Sequence, residues 1–189
     1  MTREIASSPI QLIQLTLVAE RLIIVGNVRT RFRRLSDLMN DRDSIHIVMM
    51  DATFMEVGTR RVMAQGQAAQ VATESILFVH STTPTPSSPD LRQPRRGVKA
   101  TLLLPPFTVE GNVHLPYEAD LPTALEAFEG RFLPVTRARY WAFSLAEAPK
   151  EADVMMVNHA LTHVSVAAGV EWNPDIPDET PHEDDKSWG

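Results

Sequence analysis

Three arginines at alternating positions form the pattern in this chain that is best suited to binding chemistry. Arg29, Arg31 and Arg33 would line one face of a β-strand, because side chains two residues apart in a strand point to the same side. With the adjacent Arg34, such a stripe could contact a protein surface or the phosphates of RNA, DNA or a nucleotide. The alternative is a solvated edge strand whose charges prevent edge-to-edge association.

Two further groups are candidates for recognition. Asp37 and Asn40 lie just after the arginines, where they could bind a ligand or satisfy backbone groups of a short helical turn. Arg137, Arg139 and Trp141 combine arginine with an aromatic residue, and both residue types are enriched at the centres of protein interfaces. We treat the first pair as binding candidates and the second group as interface candidates.

His159 and His163 are the strongest metal candidates, because residues four apart in a strand share a face and their imidazoles could converge. His114 or Glu110 could supply a third ligand. The first half of the chain has no matching histidine pair, and a metal site needs three or more convergent ligands. We predict no metal and no other cofactor, and keep a metal protein or small enzyme as a third alternative.

Sequence motifs for catalysis are missing. The chain has no cysteine, which excludes a disulfide framework, a thiolate zinc site and a cysteine nucleophile. It has neither a G-x-S-x-G nucleophile motif nor the G-x-x-x-x-G-K-[ST] and G-x-G-x-x-G phosphate-binding motifs. Enzymatic activity is left open, but a non-catalytic protein fits these observations better.

An internal repeat dominates the organisation of the chain. Residues 13–30 (IQLTLVAERLIIVGNVRT) align without gaps to residues 98–115 (VKATLLLPPFTVEGNVHL), which lie 85 positions later. The identical pairs are Thr16/Thr101, Leu17/Leu102, Gly26/Gly111, Asn27/Asn112 and Val28/Val113. We predict a tandem duplication of one small domain. The alternative is a similarity that arises only because all strands alternate.

Each unit is predicted to be mainly β, with one short helix. The predicted elements of the first unit are two strands around Leu15 and Ile24, a helical turn at residues 35–40 capped by Ser36, a long strand over 45–57 interrupted at Asp51, a hairpin near 58–61, a loop near 65–70 and a closing strand over 75–80. The second unit is predicted to have a helix over 120–128, a long strand over 133–144 and a closing strand over 155–166. This order indicates a small bent sheet or partly closed β-barrel.

The predicted boundaries follow the composition. Copy 1 of the β-domain spans residues 10–81 and copy 2 spans 98–168; a Pro/Ser-rich linker covers 82–97 and an acidic, disordered tail covers 169–189. The net charge is −6, and much of the negative charge lies in that tail. The tail is predicted to be either solvated or an interaction segment beside the arginines.

One segment resembles a pattern found in small, β-rich bacterial domains of unknown function. It reads RLSDLMN and, shortly after, IHIVMMDA. The aspartate and Met-Asn of this segment, with the apolar strand that follows, also resemble the Sm motif of RNA-binding barrels. Residues 41–44 lengthen the spacing, and the second unit has no Met-Asn. The resemblance therefore implies a small-barrel architecture and no particular activity.

The expected function is that of a non-catalytic binding or scaffolding protein of the bacterial cytoplasm. Its partner would be another protein or further copies of the chain, and the recognition surface would be the arginine face. Nucleic-acid or nucleotide binding through the same arginines is the alternative. No apolar run approaches the ~20 residues that a membrane span requires, so no membrane partner is expected.

Overall fold

The computed structural model describes residues 9–81, 95–116, 123, 126–142 and 148–166. Most of these residues lie in β-strands, which confirms the prediction of a mainly β protein. The strands are β1 Gln11–Ala19, β2 Leu22–Thr30, β3 His46–Glu56, β4 Val62–Ala72, β5 Ile76–Ser81, β6 Arg95–Leu104, β7 Phe107–Pro116, β8 Phe132–Ala142, β9 Lys150–Asn158 and β10 His163–Val166. Helical elements with stated bounds are short: α1 Leu35–Met39 and the 3₁₀ helices Thr73–Ser75 and His159–Leu161.

All ten strands form one antiparallel sheet. Its order is β10-β6-β7-β8-β9-β5-β1-β2-β3-β4. The first half of the chain (β1–β5) and the second half (β6–β10) each place their fifth strand beside the first, followed by the second, third and fourth. The halves meet where β9 pairs with β5. Among the described residues β10 and β4 each have a neighbour on one side only, so the sheet is not closed.

Strand register is the same in the two halves. Leu15 pairs with Gly26 in the first hairpin of the first half, and Ala100 pairs with Gly111 in the first hairpin of the second half. Each residue of the second pair is therefore 85 positions after its counterpart in the first pair. Between the third and fourth strands, His46 pairs with Ala72 in the first half and Phe132 pairs with Asn158 in the second half. Each residue of the second pair is 86 positions after its counterpart in the first pair. Positions 85 or 86 apart therefore occupy equivalent places in the two halves.

A β-bulge lies at the same place in each half. The β2–β3 register shifts between Val25 and Asn27, and the β7–β8 register shifts between Glu110 and Asn112. The opposing strands contain Asp51 at φ 51° and Arg137 at φ 50°, both in the left-handed region. Because a bulge brings an extra residue close to its partner strand, glycine is needed opposite it. The interruption predicted at Asp51 corresponds to this feature, and Gly26 and Gly111 lie at the register shifts opposite it.

The strands at the junction of the halves are buried on both faces. Met155 and Val157 of β9 belong to one hydrophobic cluster, whereas Met156 belongs to the other. All three are fully buried. Alternate residues of a strand face opposite sides, so each half buries its core on a different face of the junction. The apolar runs 76–79 of β5 and 155–157 of β9 are typical of strand segments with two buried faces.

Polar side chains also join the two halves. Asn40, at the end of α1, pairs with both backbone groups of Phe132: its Nδ2 donates to the carbonyl at 2.9 Å and its Oδ1 accepts from the amide at 2.8 Å. Asn158 is buried, and its Nδ2 donates to the Ile76 carbonyl at 2.9 Å. Buried polar groups satisfied in this way favour one relative placement of the halves.

Three local predictions were wrong. The loop near residues 65–70 belongs to β4, which runs unbroken from Val62 to Ala72. The closing strand over 155–166 is divided by the 3₁₀ helix His159–Leu161. Ser36 lies inside α1, and Arg34 is the N-cap without a side-chain capping bond. Sequence signals for these points were local, whereas strand pairing decides where each strand ends.

The linker and helix predictions fall largely outside the described residues and stay predictions. β6 begins at Arg95, so residues 95–97 of the predicted linker pair with β7. Residues 82–94, the acidic tail, and most of the predicted helix over 120–128 lie outside the described residues.

Candidate functional site

The outer face of the first half carries an arginine beside exposed apolar side chains. Leu12 of β1 pairs directly with Arg29 of β2, and both side chains are exposed, Leu12 at 58%. Directly opposed residues of an antiparallel pair share a face, with Cβ atoms about 5 Å apart. The apolar residue and the guanidinium therefore form one surface.

Val48 lies on the same face of the sheet, on the neighbouring strand β3. Asn27 of β2 pairs with Met50 of β3 at the end of the β2–β3 ladder, and Arg29 and Val48 each lie two residues beyond that pair on the same face. Val48 is 60% exposed. We call Leu12, Arg29 and Val48 the outer patch. Burial of such apolar side chains against a partner is favourable, at about 25 cal/mol per Å².

Arg31 and Arg33 follow Arg29 in sequence but lie outside the strand. β2 ends at Thr30, whose Oγ1 accepts from the Phe32 amide at 3.0 Å, and the chain then bends towards α1. The predicted one-strand arginine stripe is therefore limited to Arg29. Arg31 and Arg33 remain exposed, and within the part of the chain that the structure describes neither forms an ion pair. Arg34 is half-buried at the start of α1.

The second half has a different surface at the equivalent positions. Gly97 stands in place of Leu12, His114 in place of Arg29 and Pro134 in place of Val48. His114 Nε2 lies 2.7 Å from Thr136 Oγ1, so the His114 ring forms a hydrogen bond with a side chain of the neighbouring strand. The outer patch is consequently a feature of the first half.

Asp37 and Asn40 have different surroundings. Asp37 is exposed in the first turn of α1. Asn40 uses its amide to bind the Phe132 backbone and thereby joins the halves. The structure thus gives Asn40 a clear structural role.

Arg137, Arg139 and Trp141 all lie on β8. Arg137 occupies the bulge, and Arg139 is exposed with its Nε 3.9 Å from Glu151 Oε1. Trp141 is half-buried and pairs with Thr108. Arg137 and Arg139 are exposed, as an interface would require.

The two metal candidates do not lie on one strand. His159 begins a 3₁₀ helix and its ring packs edge-on against Phe128, with centroids 5.2 Å apart. His163 is the exposed first residue of β10. The prediction that His159 and His163 share one face of a strand is therefore wrong. Among the described residues no group of three or more His, Cys, Asp or Glu side chains could hold a metal ion.

A cleft of about 380 Å³ lies between the halves near α1. It is lined by Met39, Asn40, Asp41, Arg42, Glu129, Gly130 and Arg131. Arg42 and Glu129 form an exposed ion pair at 3.0 Å, and Arg131 Nη1 donates to Thr73 Oγ1 at 2.5 Å. These charges are committed to contacts between the halves, so the cleft belongs to the junction.

His80 is a titratable side chain that the sequence reasoning missed. It lies at the end of β5, where its Nε2 is 3.2 Å from the hydroxyl of Tyr140 in the second half. Burial lowers the pKa of His80, and the positive charge of Lys150 lowers it further, against an opposing hydrogen bond with the Ser81 backbone. Tyr140 itself is buried, at 7% exposure, and belongs to the hydrophobic core.

Acidification is expected to destabilise the chain through His80. The folded-state pKa lies below the unfolded value of about 6.5, so the unfolded state binds a proton first as the pH falls. The free energy of unfolding should therefore decrease below about pH 6.5 and level off below the folded-state pKa. Denaturant unfolding between about pH 7 and pH 5 measures this slope. His80→Gln should flatten it; an unchanged slope in His80→Gln would contradict this assignment.

Comparisons of the chain with protein-family models, curated proteins and solved structures found no match. No helix among the described residues is long and apolar enough to cross a membrane.

Leu12 and Val48 were also missed from the sequence, although a signal exists for both. Leu12 shares the strand phase of Gln14 and Thr16, so it is an apolar residue in the polar phase of β1. Val48 lies between Ile47 and Met49 in a continuous apolar run, which hid its exposure. Pairing these residues with Arg29 required the strand register.

Proposed function

We propose that this chain is a non-catalytic binding protein, built by duplication of a five-stranded β-domain, that recognises a protein partner through the outer patch. The single observation that carries the proposal is the pairing of Arg29 with exposed Leu12, with exposed Val48 on the same face of the sheet. Arginine with an apolar surround is typical of the residues that contribute most to protein interfaces.

The duplication is supported by agreement at several levels. The repeated sequence, the strand order within each half, the hairpin registers and the bulges all correspond at offsets of 85 or 86. Independent convergence would have to reproduce each of these features separately. After duplication the halves diverged at Leu12, Arg29 and Val48, which is consistent with a binding surface kept on one half.

A protein partner is favoured over a nucleic acid by the apolar part of the patch. Phosphate contacts need cations and give a steep dependence on salt, but they do not need exposed Leu12 or Val48. A protein interface buries such side chains around a central arginine. Arg31 and Arg33 would then lie at the rim, where charges mainly affect the rate of association.

Arg29→Glu is expected to weaken partner binding roughly thirtyfold, and Leu12→Ser roughly tenfold, equivalent to about 2 and 1.4 kcal/mol. The partner is obtained by chemical cross-linking to the full chain in cells, purified, and titrated against each variant by calorimetry. Lys99→Glu and Leu103→Ser are matched controls because both residues are exposed on the second half. Equal losses in the controls would overturn the assignment of the patch.

Titration with a labelled single-stranded RNA or DNA tests the competing function. We expect no binding at physiological salt. Binding that falls steeply with salt, depends on Arg31 and Arg33, and is unaffected by Leu12→Ser would establish nucleic-acid recognition instead.

A further inference from the structure

The open edges of the sheet are complementary to each other. β4, the fourth strand of the first half, is one edge, and β10, the fifth strand of the second half, is the other. Inside the chain a fourth strand already pairs with a fifth strand, because β9 pairs with β5. We propose that copies of this chain assemble head to tail, with β4 of one copy pairing antiparallel with β10 of the next. This assembly goes beyond the outer patch and uses different residues.

The inner junction predicts the register of the outer one. Its three pairs are Phe78↔Val157, Val79↔Met156 and His80↔Met155. Positions of the two fifth strands correspond at an offset of 85, because Leu17↔Val79 matches Leu102↔Val164. Positions of the two fourth strands correspond at an offset of 86, because His46↔Ala72 matches Phe132↔Asn158. The expected pairs between copies are therefore His163↔Val71, Val164↔Gln70 and Ser165↔Ala69.

The β4 edge has none of the usual protection against pairing. Its sequence, VMAQGQAAQVA, contains no charged residue and no proline over 11 residues. Residues 62–68 are all exposed, with Val62 at 52% and Met63 at 55%. In monomeric proteins, edge strands are commonly protected by charged residues, by proline or by short length. The corresponding stretch of β9 carries Lys150, Glu151 and Asp153.

Burial at equivalent positions indicates what a neighbouring copy would cover. Met155 and Met156 are fully buried at the junction with the other half. Their counterparts on β4 are less buried: Ala69 is half-buried and Gln70 is exposed. The outer junction has Ala72 where the inner one has Asn158, so it lacks the buried hydrogen bond to Ile76. Association between copies should consequently be weaker than the inner junction and should depend on concentration.

The backbone amide of Gln70 points to the open side of β4. Thr73 donates its amide to the Ile45 carbonyl at 3.0 Å, across the end of the β3–β4 ladder. Amide directions alternate along an antiparallel strand, so Val71 and Ala69 also point to β3 and Gln70 points away. A proline at position 70 therefore removes an edge donor without removing a bond to β3. The equivalent edge donor of β10 is the amide of Val164.

Edge-blocking variants of the full chain test the proposal, with mass measured by light scattering after size exclusion. Wild type should assemble into multiples of the chain mass as concentration rises. Gln70→Pro and Val164→Pro should each be monomeric under those conditions, while Gln70→Thr, which keeps the amide, should assemble. An equimolar mixture of the two proline variants should form a one-to-one dimer, because each retains the edge that the other lacks.

Other outcomes would overturn head-to-tail pairing. A wild-type monomer at every concentration would show that the edges do not associate. A Val164→Pro dimer would indicate β4–β4 pairing, and a Gln70→Pro dimer would indicate β10–β10 pairing. Circular dichroism and thermal unfolding verify that each proline variant is folded.

Introduced cysteines provide a second test that does not depend on proline tolerance. The chain has no cysteine of its own. Ser165↔Ala69 would be a non-hydrogen-bonded pair with Cα atoms about 4.5 Å apart, which is within the range of a disulfide. Oxidised Ala69→Cys/Ser165→Cys protein should form covalent multimers. The control Gln70→Cys/Ser165→Cys, with one cysteine on the opposite face, should not; absence of multimers from the first pair would refute the register.

Discussion

Phe78→Ala is expected to lower the free energy of unfolding of the chain by about 3–5 kcal/mol. Phe78 lies on β5 with no exposed surface, and its ring packs edge-on against Phe107 at 5.2 Å and Tyr140 at 5.0 Å between centroids. Both of these partners belong to the second half. The cavity would therefore open at the junction of the halves, where β-strands on both sides restrict collapse.

The same variant tests whether the halves unfold together. Phe78 is a residue of the first half that lies in the hydrophobic cluster formed mainly by the second half. Loss of its ring should lower the melting temperature in a single transition, because neither half retains an intact core. Phe54→Ala, at a half-buried site, is the control and should have a smaller effect. Two separate transitions, with one unchanged from wild type, would contradict a shared core.

The parts of the fold that were predictable carry local signals. Alternation around Leu15 and Ile24 marks β1 and β2, and the apolar run around Ile47 marks β3. The interruption predicted at the charged Asp51 within an apolar strand coincides with the residue at positive φ. Each of these signals lies within a few residues of the feature that it predicts.

β4 was not predictable because its sequence has no period of two. Alternation arises when one face of a strand is buried, and residues 62–68 are exposed on both faces. Glycine and glutamine at 65–67 then resembled a loop. Pairing of β9 with β5 was also beyond local signals, since it joins residues about 80 positions apart in sequence.

The candidate site was predictable in its charge but not in its surroundings. Arg29 was identified from the spacing of the arginines, whereas the end of β2 at Thr30 removed Arg31 and Arg33 from the strand. The apolar part of the patch depends on the pairing of Leu12 with Arg29, which no single-strand pattern contains. Composition can indicate a binding residue, but its neighbours across a sheet require the register.

Gly111→Ala is expected to destabilise the chain by about 3 kcal/mol, because the added methyl group has no space. A Cβ at Gly111 would lie 2.6 Å from Val135 Cγ1, 2.9 Å from the Thr136 carbonyl oxygen and 3.2 Å from the Ala138 Cα. Two of these atoms belong to the backbone of the β8 bulge, so relief requires the strand to move. Chemical denaturation of the purified variant measures the loss.

Two other glycines make the prediction quantitative. At Gly26 the nearest contacts of a Cβ are 3.0 Å to the Met50 carbonyl oxygen and 3.2 Å to the Ala52 Cα, so Gly26→Ala should destabilise by about 1–2 kcal/mol. At Gly97 the nearest contact is 3.6 Å, to Asn112 Cβ, so Gly97→Ala should be neutral or slightly stabilising because alanine has less backbone entropy to lose. Gly97→Ala should thus be the most stable of the three variants, Gly26→Ala intermediate and Gly111→Ala the least stable. A loss for Gly97→Ala as large as that for Gly111→Ala would contradict the close approach at the bulge as the reason for glycine at position 111.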